Sequence, residues 1–236
     1  MPEPQASAQQ AAKLAAAHAA LRFVEPGMTV GLGSGTTATL FIQLLGEQVQ
    51  KGLQIQGIAS SDSSEQLGRS LGIPITSFDQ HRTIDVAVDG ADEVAPGLAL
   101  IKGGGGKLLR EKIVASASKR FIIVADDTKL VRQLGRFPLP VEVITMAVPL
   151  VTERLQGLGF KPVVRQAKDG SGPYITDEGN LLLDCHSAGI ADPAKTAADI
   201  RAIVGVVEHG LFLGMAERAL IAGADGVREI TADERW

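Results

Sequence analysis

Short apolar segments alternate with helical segments through the first half of the 236-residue chain. Runs of this length that end in glycine, serine or aspartate favour strands, and apolar residues at helical spacing favour helices. The predicted strands are residues 28–32, 53–59, 73–78, 84–88 and 121–125. The predicted helices are residues 9–23, 38–49, 64–71 and 107–119. Such alternation predicts an α/β fold: a Rossmann-like, mostly parallel sheet flanked by helices.

The second half of the chain has a different order of predicted elements. A proline-rich connector at residues 137–140 precedes the pattern strand, helix, strand, strand, helix, strand. The strands are 141–144, 161–166, a hairpin over 174–184, and 206–212, and the helices are 148–158 and 196–203. This βαββαβ order is typical of a ferredoxin-like unit. We therefore predict an inserted small α+β domain at 132–208, within a catalytic α/β domain made of 1–131 plus 209–236.

The stretch 88–112 concentrates residues that carry chemistry. Asp89 and Asp92 follow a predicted buried strand, and Lys102, the glycines 103–106 and Glu111 come next. Open α/β sheets bind ligands beyond the carboxyl ends of their strands, and glycines let the backbone approach a ligand closely. A lone Asp-Gly pair often marks only a turn, and polyglycine only a flexible loop. Because a simple loop does not need these carboxylates and this lysine together, the combination indicates chemistry on an anionic small molecule.

A second glycine loop, GLGSGTT at residues 31–37, lies between a predicted strand and a predicted helix. This arrangement binds phosphate on the backbone N–H groups of a helix N-terminus. The loop lacks the third glycine of the dinucleotide fingerprint and the lysine of a P-loop, so a nucleotide is disfavoured. The hydroxyls of Ser34, Thr36 and Thr37 suit a terminal phosphate monoester instead.

Composition and charge exclude several classes of protein. A net charge of −4 argues against a general nucleic-acid binder. A single cysteine, Cys185, fits a reducing compartment and excludes an internal disulfide framework. The sequence shows neither a signal peptide nor an apolar run long enough to span a bilayer. We predict a cytoplasmic protein that binds no nucleic acid and no membrane.

Five motifs together resemble the ribose-5-phosphate isomerase A family. They are GLGSGTT (31–37), DGADE (89–93), KGGGGKLLREK (102–112), DDTK (126–129) and FPLPVEV (137–143). The resemblance implies interconversion of D-ribose 5-phosphate and D-ribulose 5-phosphate through a cis-enediolate, without metal or cofactor. It also implies a homodimer or homotetramer in the non-oxidative pentose phosphate pathway.

The resemblance also implies roles for individual residues. Glu111 corresponds to the base that moves a proton between C1 and C2, and Lys102 to the cation that stabilises the enediolate. Asp89 and Asp92 correspond to residues assigned to ring opening and to contacts with the sugar hydroxyls. The implied substrate-binding residues are Lys13, Gly33, Ser34, Gly35, Thr36, Thr37, Gly103, Gly104, Gly105 and Lys129.

Two positions depart from the family pattern. Ser34 often appears as threonine, and the serine keeps a hydroxyl donor. Lys107 stands where a small residue is common, so its ammonium either points to solvent or binds the substrate.

Three other functional classes share some of these features. A non-catalytic sugar-phosphate sensor could use the same sheet and loops, but it would not need Glu111. We also expect such a sensor to carry a DNA-binding helix-turn-helix, for which the residues before Gln9 leave no room. A sugar-phosphate deaminase or lactonase typically requires a catalytic histidine, and none of the four histidines lies in the glycine-rich stretches. A dehydrogenase is disfavoured by the incomplete dinucleotide fingerprint.

Overall fold

The computed structural model describes residues 4–234 and Trp236. Its helices are α1 (Pro4–Ala20), α2 (Thr36–Gln50), α3 (Asp62–Ser70), α4 (Leu108–Ser116), α5 (Val148–Gly157) and α6 (Pro193–Arg201). Its first seven strands are β1 (Thr29–Leu32), β2 (Gln56–Ala59), β3 (Val86–Asp89), β4 (Glu93–Ala95), β5 (Ala99–Ile101), β6 (Phe121–Asp126) and β7 (Leu139–Val143). The remaining strands are β8 (Lys161–Val164), β9 (Leu181–His186), β10 (Val206–His209), β11 (Leu211–Phe212), β12 (Arg218–Gly223) and β13 (Gly226–Thr231).

The main sheet has six strands in the order β13-β12-β6-β3-β1-β2. All neighbouring pairs are parallel except β12 with β13, which form an antiparallel hairpin at the edge. Successive side chains of a strand point to opposite faces. Val88 and Val124 accordingly pack with α1 and α2 on one face. Ala87 and Ile123 pack with α4 on the other. This arrangement confirms the predicted mostly parallel sheet flanked by helices.

A second sheet contains β10-β7-β9-β8 and is antiparallel throughout. Its strands and the helices α5 and α6 follow the predicted βαββαβ order, and residues of both helices, Val151 and Ile200, contribute to its core. The predicted ferredoxin-like fold class is therefore confirmed. The domain boundaries at 131/132 and 208/209 remain a prediction.

Two predicted strands are wrong in their extent. Residues 73–78 form no strand and make only a single bridge between Ile75 and Gly57. Pro74 interrupts the ladder there, because proline has no N–H to donate. The predicted strand 206–212 is divided at Gly210: β10 joins the second sheet, and β11 pairs with β5 in a three-stranded sheet with β4 that was not predicted.

Gly210 links the two sheets through its backbone. Its carbonyl accepts a hydrogen bond from the Lys102 N–H at 2.9 Å, and its own N–H donates to the Pro140 carbonyl at 2.8 Å. A Cβ at this position would collide with the Lys102 carbonyl and with Pro140. Only glycine allows this close approach, so the crossing fixes the backbone that carries Lys102.

Within the part of the chain described, none of the helices combines the length and apolar character that crossing a membrane requires.

Candidate active site

A pocket lies beyond the carboxyl ends of the parallel strands β1 and β3. The loop after β1, the loop after β3 and the loop after β5 all contribute to it. Its lining residues are Lys13, Ser34, Gly35, Thr36, Thr37, Gly90, Ala91, Asp92, Lys102, Gly103, Gly104, Gly105, Glu111 and Lys129. The structure thus brings together around one pocket all the predicted site residues except Gly33 and Asp89.

Lys102 occupies the centre of the site. Its side chain is only 3% exposed, and Nζ lies 2.9 Å from Asp89 Oδ2 and 3.5 Å from Glu111 Oε2. Nζ also donates a hydrogen bond to the Gly90 carbonyl at 2.6 Å. Gly90 was not predicted as a site residue, although its place directly after Asp89 in the DGADE motif was a usable signal. Lys102 therefore bridges two carboxylates next to the pocket.

Asp89 is buried behind Lys102. Its Oδ1 accepts hydrogen bonds from the N–H groups of Ser34 at 2.9 Å and Gly90 at 2.7 Å. Burial raises the pKa of Asp89 to about 7 and the nearby Glu111 adds to the rise, while the attraction of Lys102 opposes it. The contacts in the structure make Asp89 the counter-ion of Lys102, and its predicted contact with the sugar remains a prediction.

Gly33 leaves free the space that the Asp89 carboxylate occupies. A Cβ on Gly33 would collide with the Asp89 carboxylate and with the Val88 carbonyl. The Gly33 N–H donates to that same Val88 carbonyl at 3.0 Å. Gly33 therefore provides the space in which Asp89 and the β1 loop meet.

Glu111 lies in the first turn of α4 and is 5% exposed. The Ser34 hydroxyl donates a hydrogen bond to its Oε1. Among the described residues, no donor hydrogen-bonds to Oε2, the oxygen that is nearer to Lys102. A buried carboxylate oxygen without a donor is unusual, and it keeps a lone pair available for a proton.

Asp92 and Lys102 both line the pocket, and each one's charge shifts the pKa of the other. The Gly104 N–H donates to Asp92 Oδ2 at 2.7 Å. Burial raises the pKa of Asp92, against the opposing effect of that hydrogen bond and of Lys102. Burial lowers the pKa of Lys102, but the charges of Asp89, Glu111 and Asp92 outweigh it and the net shift is upward. With three carboxylates around it, Lys102 stays charged.

Part of the pocket lining, at the N-terminus of α2, suits an anion. The helix α2 begins at Thr36, and Gly35 precedes it with a φ of 86°, a conformation that favours glycine. The first N–H groups of a helix lack internal acceptors and attract anions. Lys13 and Lys129 line the same pocket. The predicted phosphate-binding residues therefore lie close together.

The structure shows what the Lys107 ammonium contacts. Its ammonium forms an ion pair with Asp177, and its side chain is 20% exposed. The cation is thus engaged by a neighbouring carboxylate rather than free in solvent, and it does not line the pocket described above.

Cys185 lies outside the pocket. It is buried in the core of the second sheet, and burial raises the pKa of its thiol. It does not line the pocket, and a protonated thiol in a core acts as an apolar packing group.

The site has no histidine: none of those in the described residues lines the pocket. The described residues also include no group of three or more His, Cys, Asp or Glu side chains arranged to hold a metal ion. The donors present are carboxylates, ammonium groups, hydroxyls and backbone N–H groups, which suit proton transfer on a phosphorylated substrate.

Comparisons with known proteins agree on one family. The model of "Ribose 5-phosphate isomerase A (phosphoriboisomerase A)" matches residues 56–226. Ribose-5-phosphate isomerase A of Roseiflexus castenholzii is 51% identical over 218 residues, which cover 91% of this chain and 93% of that protein. The enzyme of Sinorhizobium fredii is 49% identical over 227 residues, covering 93% of this chain and 97% of that protein.

Solved structures show the same likeness. Ribose 5-phosphate isomerase A from Methanocaldococcus jannaschii superposes with a TM-score of 0.91 and 38% identity, covering 94% of this chain and 99% of that one. A D-ribose-5-phosphate isomerase in complex with phospho-erythronic acid gives a TM-score of 0.92 and 40% identity, covering 94% of this chain and 98% of that one.

Proposed function

The chain belongs to the ribose-5-phosphate isomerase A family, and on that premise we propose how its pocket interconverts D-ribose 5-phosphate and D-ribulose 5-phosphate. The reaction moves one proton between C1 and C2 of the open-chain sugar through a cis-enediolate. No electrons leave the substrate, so no redox cofactor is needed, and we propose that Lys102 and backbone N–H groups, in place of a metal, stabilise the negative oxygen. The alternative function of a sensor is not favoured, because binding alone does not require a buried carboxylate with one oxygen that no donor among the described residues hydrogen-bonds.

Glu111 is the proposed base. The observation that carries this assignment is Glu111 Oε2, which is buried, lacks a hydrogen-bond donor among the described residues and lies 3.5 Å from Lys102 Nζ. The hydrogen bond from Ser34 to the other oxygen orients the carboxylate. One carboxylate on one face of a planar enediolate can remove the proton from one carbon and return it to the next.

Lys102 and the Gly105 N–H, for which the described residues hold no acceptor, are proposed to stabilise the negative oxygen of the enediolate. A buried cation and fixed backbone dipoles act strongly in a site of low dielectric constant. Asp92, which lines the pocket with a raised pKa, is proposed to carry the proton for ring opening and to bind the sugar hydroxyls. Asp89 keeps Lys102 in place from behind.

The phosphate is proposed to bind at the N-terminus of α2, between Lys13 and Lys129. Binding energy from this remote group holds the reacting carbons in place. We further propose a cytoplasmic homodimer or homotetramer in the pentose phosphate pathway, with residues 132–208 as the smaller domain.

The function is tested by incubating the purified protein with ribose 5-phosphate in D₂O containing EDTA. We expect ketose to form, with part of the product carrying deuterium at C1, because a carboxylate base exchanges its proton with solvent. NMR measures both quantities. If no ketose forms while ribose 5-phosphate binds tightly, the isomerase function is refuted and the sensor function is supported.

Removing one phosphate contact should mainly weaken substrate binding. For Lys13→Ala and for Thr36→Ala we expect KM to rise about tenfold while kcat changes by less than about threefold, since these groups lie away from the reacting carbons. Steady-state kinetics measure the split, and Lys51→Ala, an exposed lysine just after α2, is the control. An unchanged KM in both variants would show that the phosphate binds elsewhere.

A further inference from the structure

Arg165 reaches the glycine loop from the second sheet. It directly follows β8, and its Nη1 donates hydrogen bonds to the carbonyls of Gly103 at 2.9 Å and Gly104 at 3.2 Å. Its side chain is 13% exposed. One partly buried guanidinium therefore holds two successive carbonyls of the loop that lines the pocket.

The guanidinium is itself held in one orientation. Asp184 of β9 accepts a hydrogen bond from Nε at 2.9 Å and another from Nη2 at 2.5 Å. A two-point contact between arginine and a carboxylate fixes the plane of the guanidinium. Because Nε and Nη2 face Asp184, Nη1 is left to face the glycine loop.

The planarity of the peptide bond links these carbonyls to the pocket. In a trans peptide the C=O of one residue and the N–H of the next point in opposite directions. Holding the Gly103 carbonyl therefore turns the Gly104 N–H away from Arg165, and this N–H donates to Asp92 in the pocket. Holding the Gly104 carbonyl turns the Gly105 N–H the same way. No acceptor for the Gly105 N–H exists among the described residues.

Tyr174 supports the loop on the same side. Its hydroxyl lies 3.5 Å from the Gly105 carbonyl, and its ring fills the space where a Cβ of Gly106 would lie. Gly106 has a φ of 81°, which also favours glycine. The segment between β8 and β9 thus contacts the glycine loop through Arg165 and Tyr174.

We propose that Arg165 is a positioning residue: it holds the Gly104 N–H on Asp92 and orients the Gly105 N–H toward the enediolate oxygens. The proposal rests on the proposed function. A role confined to stability, as an ion pair with Asp184, would leave the two N–H groups in place when Arg165 is replaced in a folded protein.

The test is Arg165→Ala in the full chain. We expect kcat to fall about 10- to 100-fold, because preorganised donors lose their alignment, while KM changes less than about threefold. Affinity for phospho-erythronic acid, which has a planar carboxylate opposite its phosphate, should weaken by a similar factor. Affinity for inorganic phosphate should stay unchanged. Millimolar guanidinium chloride should restore part of kcat by occupying the vacated site beside Asp184, and equal sodium chloride should not.

Arg120→Ala is the matched control. Arg120 makes a two-point contact with Glu217, at 2.8 and 3.1 Å, and it does not line the pocket. Its replacement should leave kcat and phospho-erythronic acid affinity near wild type, with no response to guanidinium.

Several outcomes overturn the proposal: an unchanged kcat, a loss confined to KM, an equal loss of phosphate affinity, or a loss of kcat that guanidinium does not restore.

If Arg165→Ala does not fold, Arg165→Lys replaces it. Lysine keeps the charge but lacks the planar fork, so kcat should still fall about tenfold, and a wild-type kcat in this variant overturns the proposal. If the wild-type protein has no isomerase activity, the proposed function is refuted. If the wild type is active and Arg165→Ala is unaffected, only the role of Arg165 is refuted.

Discussion

Glu111→Gln is expected to lower kcat by at least about a hundredfold with little change in KM. Glutamine fills the same space and can still accept the hydrogen bond from Ser34, but its amide cannot take a proton from carbon. General-base catalysis typically contributes about 10²- to 10⁴-fold, and its loss falls on kcat and on kcat/KM alike. Steady-state kinetics with ribose 5-phosphate provide the measurement.

Two controls distinguish lost chemistry from lost structure. Glu65→Gln removes an exposed carboxylate that pairs with Arg69 on α3 and should retain full activity. Affinity for inorganic phosphate reports an intact pocket and should match wild type in Glu111→Gln. If Glu111→Gln keeps most of its kcat, Glu111 is not the base.

Lys102→Met should also reduce kcat severely, by about 10²- to 10³-fold. Methionine approximates the length of the side chain and can keep contact with the Phe212 ring, which lies 5.5 Å from the Lys102 ammonium. It removes the charge that stabilises the enediolate oxygen, and losing one such group has effects of this size. The same kinetic assay applies, and affinity for phospho-erythronic acid should fall in parallel.

Lys102→Met should also change how stability depends on pH. The Lys102 charge lowers the pKa of Asp89, which is about 7 in the wild type, so its removal raises that pKa further. A carboxyl group with a raised folded-state pKa contributes stability at low pH that is lost as the pH rises through that pKa. In the variant this loss therefore continues to a higher pH than in the wild type.

Urea unfolding at several pH values measures this effect. The free energy of unfolding of Lys102→Met should fall progressively below that of the wild type as the pH rises from about 7 to 9. A difference that stays constant over this range, together with a kcat near wild type, would show that Lys102 is neither the counter-ion of Asp89 nor part of the chemistry.

The sequence allowed the site to be predicted because its residues lie in local motifs. Glycine loops, clustered carboxylates and a central lysine have physical meanings that do not depend on distant segments. The motifs also follow strands, so the geometry of a parallel sheet brings them together. Gly33 and Asp89 show the limit of this reasoning, since their contacts with each other, rather than with the pocket, depend on interatomic distances.

Other features left no local signal. Pro74 interrupts an apolar run that otherwise resembles a strand. Gly210 divides another such run, and the two parts join different sheets. The strands β4 and β5 are three residues each, too short for periodicity to detect. Arg165 lies far along the chain from the glycines it contacts, and nothing in its neighbouring residues indicates that partner.

The crossing at Gly210 limits how this site could be transplanted. Every residue predicted for the site lies between Lys13 and Lys129, so a designer could copy those motifs alone onto another parallel-sheet scaffold. The Lys102 backbone, however, is held by Gly210, which is held in turn by Pro140 of the second sheet. A graft without this later segment would have the required side chains but would lose the backbone hydrogen bond that holds its central lysine.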